Sequence, residues 1–297
     1  MQLREIIKVS NLTKDYGNNK GIFDVSFSIN EGEVVGFLGP NGAGKTTTIR
    51  HLLGLIQKYH GSAFIKEYNC FTEQVLVQKY IGYLPGEIKF IEDFDGDSFI
   101  RFMAKMKDIK DLSYAYELVK YFELDTSKKI NKMSKGMKQK LGLIVAFMNK
   151  PEILILDEPS SGLDPLMQHK LVDLIIQHKQ MKATIFLSSH MFDEVEKTCD
   201  RIIMIKEGRI VADSSIKDIK AKMQDIYIIR FSTEEMASRF VNNTGGSIIN
   251  KATVEYRLSE SLNKLIKQLV EFDILEITKK KQTLEELFMQ YYGDAYD

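Results

Sequence analysis

The chain has 297 residues, long enough for one large domain and a smaller one. Its 41 lysines and arginines offset 41 aspartates and glutamates, a balance that argues against a general nucleic-acid binder and against adsorption of the whole chain to an anionic membrane. Hydrophobic residues make up 44%, a globular and not a disordered composition.

Cys70 and Cys199 form no spacing pattern, so they imply neither a disulfide framework nor a zinc site, and reduced thiols of a cytosolic protein are expected. The N-terminus has no apolar core of signal-peptide length. The longest apolar stretch, Leu141 to Met148, is far short of the roughly 20 residues of a spanning helix. The chain is therefore expected neither to cross a membrane nor to leave the cell on its own.

In chain order, the first stretch predicts paired strands. Ile6 to Val9 and Gly21 to Ile29 alternate with period two, Asn30 to Glu33 supplies a turn, and Val34 to Leu38 is a compact buried strand. A Gly-rich loop follows, and Thr46 to Leu55 reads as a helix. From about 87 to 150 helical spacing takes over. Phe99, Phe102, Met103 and Met106 share one face, Leu118, Val119, Phe122 and Leu124 follow in a second segment, and both stripes are expected to be core. The α/β pattern then resumes with a strand at Ile153 to Leu156, a helix at Gln168 to His178 and a strand at Thr184 to Leu187. Arg201 to Lys206 and Arg209 to Val211 form a hairpin turned by Glu207-Gly208.

From about Ile226 a second unit is expected, with residues 1–222 forming the first domain and 223–297 the second. Ile226 to Phe231 reads as a strand, and Ser232 with Glu235 has capping-box spacing before a helix. Strands near Ser247 to Ile249 and Thr253 to Leu258, a helix from Ser259 to Glu271 and a strand at Ile274 to Thr278 complete a β-α-β-β-α-β order, the ferredoxin-like arrangement. A last helix, capped by Thr283 with Glu286 and stopped near Gly293, closes the chain.

The chemistry begins at Gly39-Pro40-Asn41-Gly42-Ala43-Gly44-Lys45-Thr46, which fits G-x-x-x-x-G-K-[ST] between an apolar strand and a helix. Glycines let backbone N–H groups turn inward around phosphates, and the following helix adds its positive dipole end. Lys45 is placed to reach the β/γ-phosphates and Thr46 to ligate Mg²⁺, with Thr47 beside it. The chain is thus expected to bind a nucleoside triphosphate. Downstream, Ile153 to Leu156 ends in Asp157-Glu158. Such a strand sets an Asp beside the magnesium, and the next acid faces the γ-phosphate, where it can orient or deprotonate a water.

Together with further motifs, these residues resemble the ABC-transporter ATPase family over about 5–220. Met133-Ser134-Lys135-Gly136-Met137-Lys138-Gln139-Lys140 is similar to that family's LSGGQ signature, upstream of Asp157-Glu158-Pro159. Ser160-Ser161-Gly162-Leu163-Asp164 resembles its D-loop, and Thr184 to His190 its switch strand and histidine. Tyr16 matches the aromatic that stacks on adenine. The resemblance implies an α/β fold: a P-loop ABC ATPase domain with an α/β core, an antiparallel β subdomain and a helical subdomain at about 87–150, followed by a small α+β ferredoxin-like C-terminal domain.

It also implies an ATPase that powers a transporter through a separate transmembrane permease subunit at the cytoplasmic face of the membrane. A second copy would close head to tail on ATP, in a C₂ arrangement. ATP and Mg²⁺ are the implied cofactors. Ser134 and the Gly136 N–H would meet the partner copy's γ-phosphate, His190 the γ-phosphate and the attacking water, and Asp164 would couple the two sites. Of the five histidines only His190 has this context; His51, His60, His169 and His178 are expected to be surface or core. Lysines 128, 129, 132, 135, 138 and 140 make the signature edge positive, most of them as a solvated face.

Three positions depart from the family pattern. Lys135 replaces the first glycine of LSGGQ and Met137 its last Gln, a variant associated with the drug- and peptide-exporter branch. After Pro85, where the family places Gln, this chain has Gly86 and then Glu87. Either Glu87 takes the metal role or the loop only transmits motion to a membrane partner. The C-terminal unit resembles the accessory domain of bacterial drug, antimicrobial-peptide and bacitracin-type exporter ATPases, which implies export of drugs, peptides or lipids. The alternative is a soluble ABC ATPase acting on ribosomes or DNA. The single P-loop and an 87–150 insert too short for a coiled coil speak against it, and no nucleic-acid partner is expected.

Overall fold

A computed structural model describes residues 4–58, 60–221, 223–258, 261–280 and 282–286. In chain order the elements of the first part are β1 (Glu5–Asp15), β2 (Gly21–Asn30), β3 (Val34–Leu38), α1 (Lys45–Leu52), β4 (His60–Ile65), β5 (Tyr68–Asn69), α2 (Gln74–Gln78) and β6 (Ile81–Leu84). There follow α3 (Gly96–Met106), α4 (Ser113–Tyr121), α5 (Lys135–Phe147), β7 (Ile153–Asp157), α6 (Pro165–Gln180), β8 (Thr184–Ser189), α7 (Phe192–Thr198), β9 (Arg201–Lys206), β10 (Arg209–Ser215) and α8 (Ile216–Ala221). The remainder is β11 (Ile226–Phe231), α9 (Glu234–Thr244), β12 (Ser247–Asn250), β13 (Thr253–Arg257), α10 (Leu262–Leu269) and β14 (Ile274–Lys280). The chain divides into two compact units, the first ending at Lys217 and the second beginning at Asp218.

The first unit holds two sheets. One is antiparallel, in the order β2-β1-β4-β5. The other is six-stranded, in the order β10-β9-β3-β8-β7-β6, parallel from β9 to β6 with β10 turned back as a hairpin. Every residue of β3, β7 and β8 is buried, as expected of parallel strands covered on both faces. Phe37 and Phe186 from the parallel sheet meet Phe27 from the antiparallel one, with ring centroids 5.9 and 5.5 Å apart, and each other at 5.2 Å. The two sheets thereby share one core, and each such ring contributes about 1.5–3 kcal/mol by leaving water. The β9–β10 turn runs through Glu207 and Gly208 at φ 48° and 75°, the left-handed pair that a two-residue hairpin needs.

Several elements differ from the sequence expectation. The first strand runs from Glu5 to Asp15 and not only from Ile6 to Val9, because register shifts near Leu12 let its polar second half keep pairing with β2. The Phe/Met stripe on α3 is not all core. Phe99, Ile100 and Ala104 are buried, whereas Phe102 is 37% and Met106 71% exposed. Of the second stripe Leu118, Phe122 and Leu124 are buried as expected, and Val119 is half-buried.

The second unit has the expected β-α-β-β-α-β order, and its sheet runs β12-β13-β11-β14, antiparallel throughout. Tyr227, Ile229 and Phe231 of β11 pack with Phe240 of α9 and Leu265 and Leu269 of α10. The α9 cap is Thr233, whose hydroxyl accepts from the Met236 N–H; the expected cap, Ser232, lies one residue too early. Thr283 and Glu286 exchange both capping-box hydrogen bonds, at 3.2 and 3.1 Å. The rest of the expected last helix lies outside the described residues.

Candidate functional site

Ligands of open parallel sheets bind beyond the carboxyl ends of the strands, and here the adjacent ends of β3, β8 and β7 carry the sequence-singled residues. The Gly39–Gly44 loop leaves β3 and enters α1 through Gly44 at φ 109°. A Cβ at Gly44 would lie 2.7 Å from Ile22 Cγ2, so conformation and space both demand glycine there. Lys45 is 5% exposed, and its ammonium donates to the carbonyls of Gly39 at 2.7 Å and Pro40 at 3.2 Å. A cavity of about 430 Å³ opens before the loop, lined among others by Tyr16, Asn41, Gly42, Gly44, Lys45, Thr46, Thr47 and Glu158. Ala43 is buried beneath the loop and Pro40 is exposed. Tyr16 is 55% exposed, with the Lys14 ammonium 5.6 Å from its ring.

From β7, Asp157 reaches back under the loop. Its Oδ2 accepts from the Thr46 hydroxyl at 2.8 Å and its Oδ1 from the Ser188 hydroxyl at 2.5 Å. Glu158 sits at φ 49°, a left-handed conformation costly for this residue type and a frequent mark of functional backbone. The Ser188 carbonyl and hydroxyl both accept from the Glu158 N–H and so hold it there. Glu158 Oε1 stands 3.5 Å from Lys45 Nζ and 3.8 Å from His190 Nδ1. An ammonium and an acid that both line the cavity thus stand together, with an imidazole beside the same acid. The Tyr83 phenol is pushed up to about 12, first by burial and then by the Asp157 charge, so it stays neutral beside that acid.

The signature residues lie elsewhere. Ser134 caps α5 and accepts from the Met137 N–H at 3.3 Å, and Asp164 caps α6 and accepts from the Met167 N–H at 3.0 Å. A Cβ on Gly136 would fall 2.8 Å from the Gly162 carbonyl, and the Lys135 stem lies over Gly162, so the signature helix and the Ser160–Asp164 loop pack backbone to backbone. Ser134, Gly136 and Asp164 are not among the residues lining the P-loop cavity. Gly86, not Glu87, approaches Asp157: a Cβ on Gly86 would be 3.2 Å from Asp157 Oδ2. Glu87 itself is exposed, with no hydrogen bond or ion pair among the described residues, and the structure does not bring it into the cluster.

Two participants went unrecognised in the sequence. The Ser188 hydroxyl bridges Asp157 and Glu158, and the buried Gln139 side chain of α5 donates to the Pro159 carbonyl at 2.9 Å, fastening the signature helix to the loop after Glu158. The other histidines behave as expected. His51 and His178 are buried and His60 and His169 exposed. Both cysteines are free and buried, with thiols pushed up to about 12 chiefly by burial.

A P-loop on a parallel sheet, with an acidic strand end beside it, defines a nucleotide-hydrolysing α/β domain. Residues 22–161 match the family model of the ABC transporter. The chain is 34% identical to an ABC transporter ATP-binding protein of Methanocaldococcus jannaschii, over 95% of this chain and 98% of that one. It is 32% identical to the bacitracin transport ATP-binding protein BcrA of Bacillus licheniformis, over 97% of each. A solved ATP-binding subunit of an ABC transporter superposes with a TM-score of 0.67 at 31% identity, covering 73% of this chain and 92% of that one. The chain belongs to the ABC transporter ATP-binding protein family and is an ATP-hydrolysing cassette. Among the described residues no helix is long and apolar enough to cross a membrane.

Proposed function

We propose that this cassette powers an exporter through a permease on a separate chain, at the cytoplasmic face of the membrane, with residues 1–222 as the ATPase domain and 223–297 as an accessory domain. The observation that carries the site assignment is the approach of Lys45 and His190 to one carboxylate, Glu158, with Lys45 and Glu158 lining the P-loop cavity. The Gly39–Thr47 backbone cradles the phosphates, Lys45 reaches the β- and γ-oxygens and Tyr16 stacks on the base. Glu158 takes the proton of the attacking water, and His190 holds that water and the γ-phosphate in line. Catalysis is then mainly positioning and charge stabilisation. Thr46 and Asp157 present a hydroxyl and a carboxylate oxygen 2.8 Å apart, hard donors that suit Mg²⁺ completed by phosphates and waters. The ion, when bound, neutralises charge on the phosphate oxygens.

Because Ser134, Gly136 and Asp164 stand away from the P-loop cavity, we assign them to the ATP held by a second copy, in a head-to-tail dimer that closes on ATP. The bacitracin transport relative supports a transport role. Exposed Ile91, Phe102 and Met106 in the segment after Pro85 offer an apolar surface for a membrane partner. The test is purification of the tagged chain from host membranes in mild detergent. A stoichiometric multi-spanning protein that is lost on Phe102→Asp with Met106→Asp is the expected result. A cytosolic chain bound to ribosomes or DNA would overturn the transporter reading and leave the ATPase site intact.

A further inference from the structure

Glu194 lies in the first turn of α7 and is 6% exposed, yet the hydrolytic roles assigned above make no use of it. Two hydroxyls converge on its Oε2: Ser189 Oγ donates at 2.8 Å and Ser160 Oγ at 3.2 Å. Its Oε1 is buried with no hydrogen-bond partner among the described residues. Burial holds the carboxyl above the usual carboxylate range despite these two bonds, and the charge of Glu158 adds to the rise. A buried acid with a bare oxygen destabilises a fold relative to a packed apolar side chain. Its neighbours supply a reason for its presence. Ser160 follows Glu158 by two residues and opens the loop that ends at Asp164, and Ser189 directly precedes His190. The same Ser189 hydroxyl accepts from the Met191 N–H at 3.0 Å, so the turn around His190 is tied to the same carboxyl. One buried group therefore joins the loop bearing the acid to the loop bearing the imidazole.

We propose that Glu194 is a positioning residue for hydrolysis, clasping Ser160 to Ser189 so that His190 keeps its 3.8 Å spacing from Glu158, which lines the P-loop cavity. The inference rests on the roles assigned above to Glu158 and His190. Neither partner of the clasp touches the cavity, so its loss misplaces the acid and the imidazole without removing a nucleotide contact. Small misplacements of reacting groups lower the rate far more than they weaken binding.

The experiment is steady-state ATP hydrolysis by the full chain with Mg²⁺. We expect Glu194→Ala to lower kcat by about tenfold or more with the KM for ATP within about threefold of the parent. Glu194→Gln keeps a carbonyl oxygen for both hydroxyls and should restore kcat to within about threefold. If Glu194→Ala does not fold, Ser160→Ala with Ser189→Ala removes both donors and carries the same expectation. Full kcat on loss of the clasp, a defect confined to KM, or a loss that Gln does not rescue would each overturn the proposal. Glu158→Gln is run in parallel. Inactive Glu158→Gln beside fully active Glu194→Ala rejects the Glu194 role alone, whereas active Glu158→Gln rejects the underlying site assignment and the clasp with it.

Discussion

The two ends of the parallel sheet bury titratable groups in very different ways. Before β8, His178 is 1% exposed, its Nε2 lies 2.9 Å from the Tyr114 hydroxyl, and Phe147 meets its ring edge-on at 4.8 Å. Desolvation, with the Lys150 charge second, lowers its pKa to about 4, so the ring is neutral and has one neutral partner. Beyond the carboxyl ends, two acids, an ammonium, an imidazole and two hydroxyls converge, with Glu158 in a left-handed backbone and an open cavity in front. Burial and a displaced pKa therefore do not by themselves mark a site. Convergence of unlike charges on an opening does, and the two ends should respond to opposite perturbations.

The largest effect should come from Lys45→Ala. If Lys45 meets the transferred phosphoryl group as proposed, its removal is expected to cost about 10²–10³ in turnover, while a thermal melt stays near that of the parent. At the other end the sensitive variable is pH. His178 titrates near 6.5 when unfolded and near 4 when folded, so the unfolded chain binds more protons between these values. Stability is fully present above about pH 6.5 and lost as pH falls to about 4, by about 3 kcal/mol at most. Melts at pH 7 and pH 5 should show the drop, and His178→Phe with Tyr114→Phe should flatten it. An unchanged slope would contradict the buried neutral ring.

Smaller effects sharpen the contrast. Gly44→Ala should weaken ATP binding and cost about 1–2 kcal/mol of stability, because the new methyl meets Ile22 in a left-handed backbone. Tyr16→Ala should weaken affinity about tenfold, on the order of 1 kcal/mol for a lost stacked ring. Its melt should not move, since the ring is 55% exposed. Unaltered affinity by equilibrium titration would return Tyr16 to an ordinary loop.

Much of the nucleotide end was legible because its information is local. A strand, a glycine loop and Lys45-Thr46 stand in one run, and an apolar strand ends in Asp157-Glu158. The β-α-β-β-α-β order of the second unit was legible for the same reason, written in alternation and turn residues. Four features were not. Ser188 reaches Asp157 and Gln139 reaches Pro159 across tertiary contacts between distant segments, and neither residue type stands out in its own stretch. The α3 stripe showed an apolar face but not whether this chain covers it, and Phe102 and Met106 face out. Glu87 was a candidate because it follows the position where the family carries Gln, whereas in space it is the Gly86 backbone that approaches Asp157.

Glu158 as the base is the central assignment, and Glu158→Gln in the purified chain with labelled ATP tests it directly. The variant should bind ATP with near-parent affinity, retain the uncleaved triphosphate and lose turnover by about 10²-fold or more. Release of ADP and phosphate at the parent rate would contradict the assignment of this strand end as the hydrolytic centre.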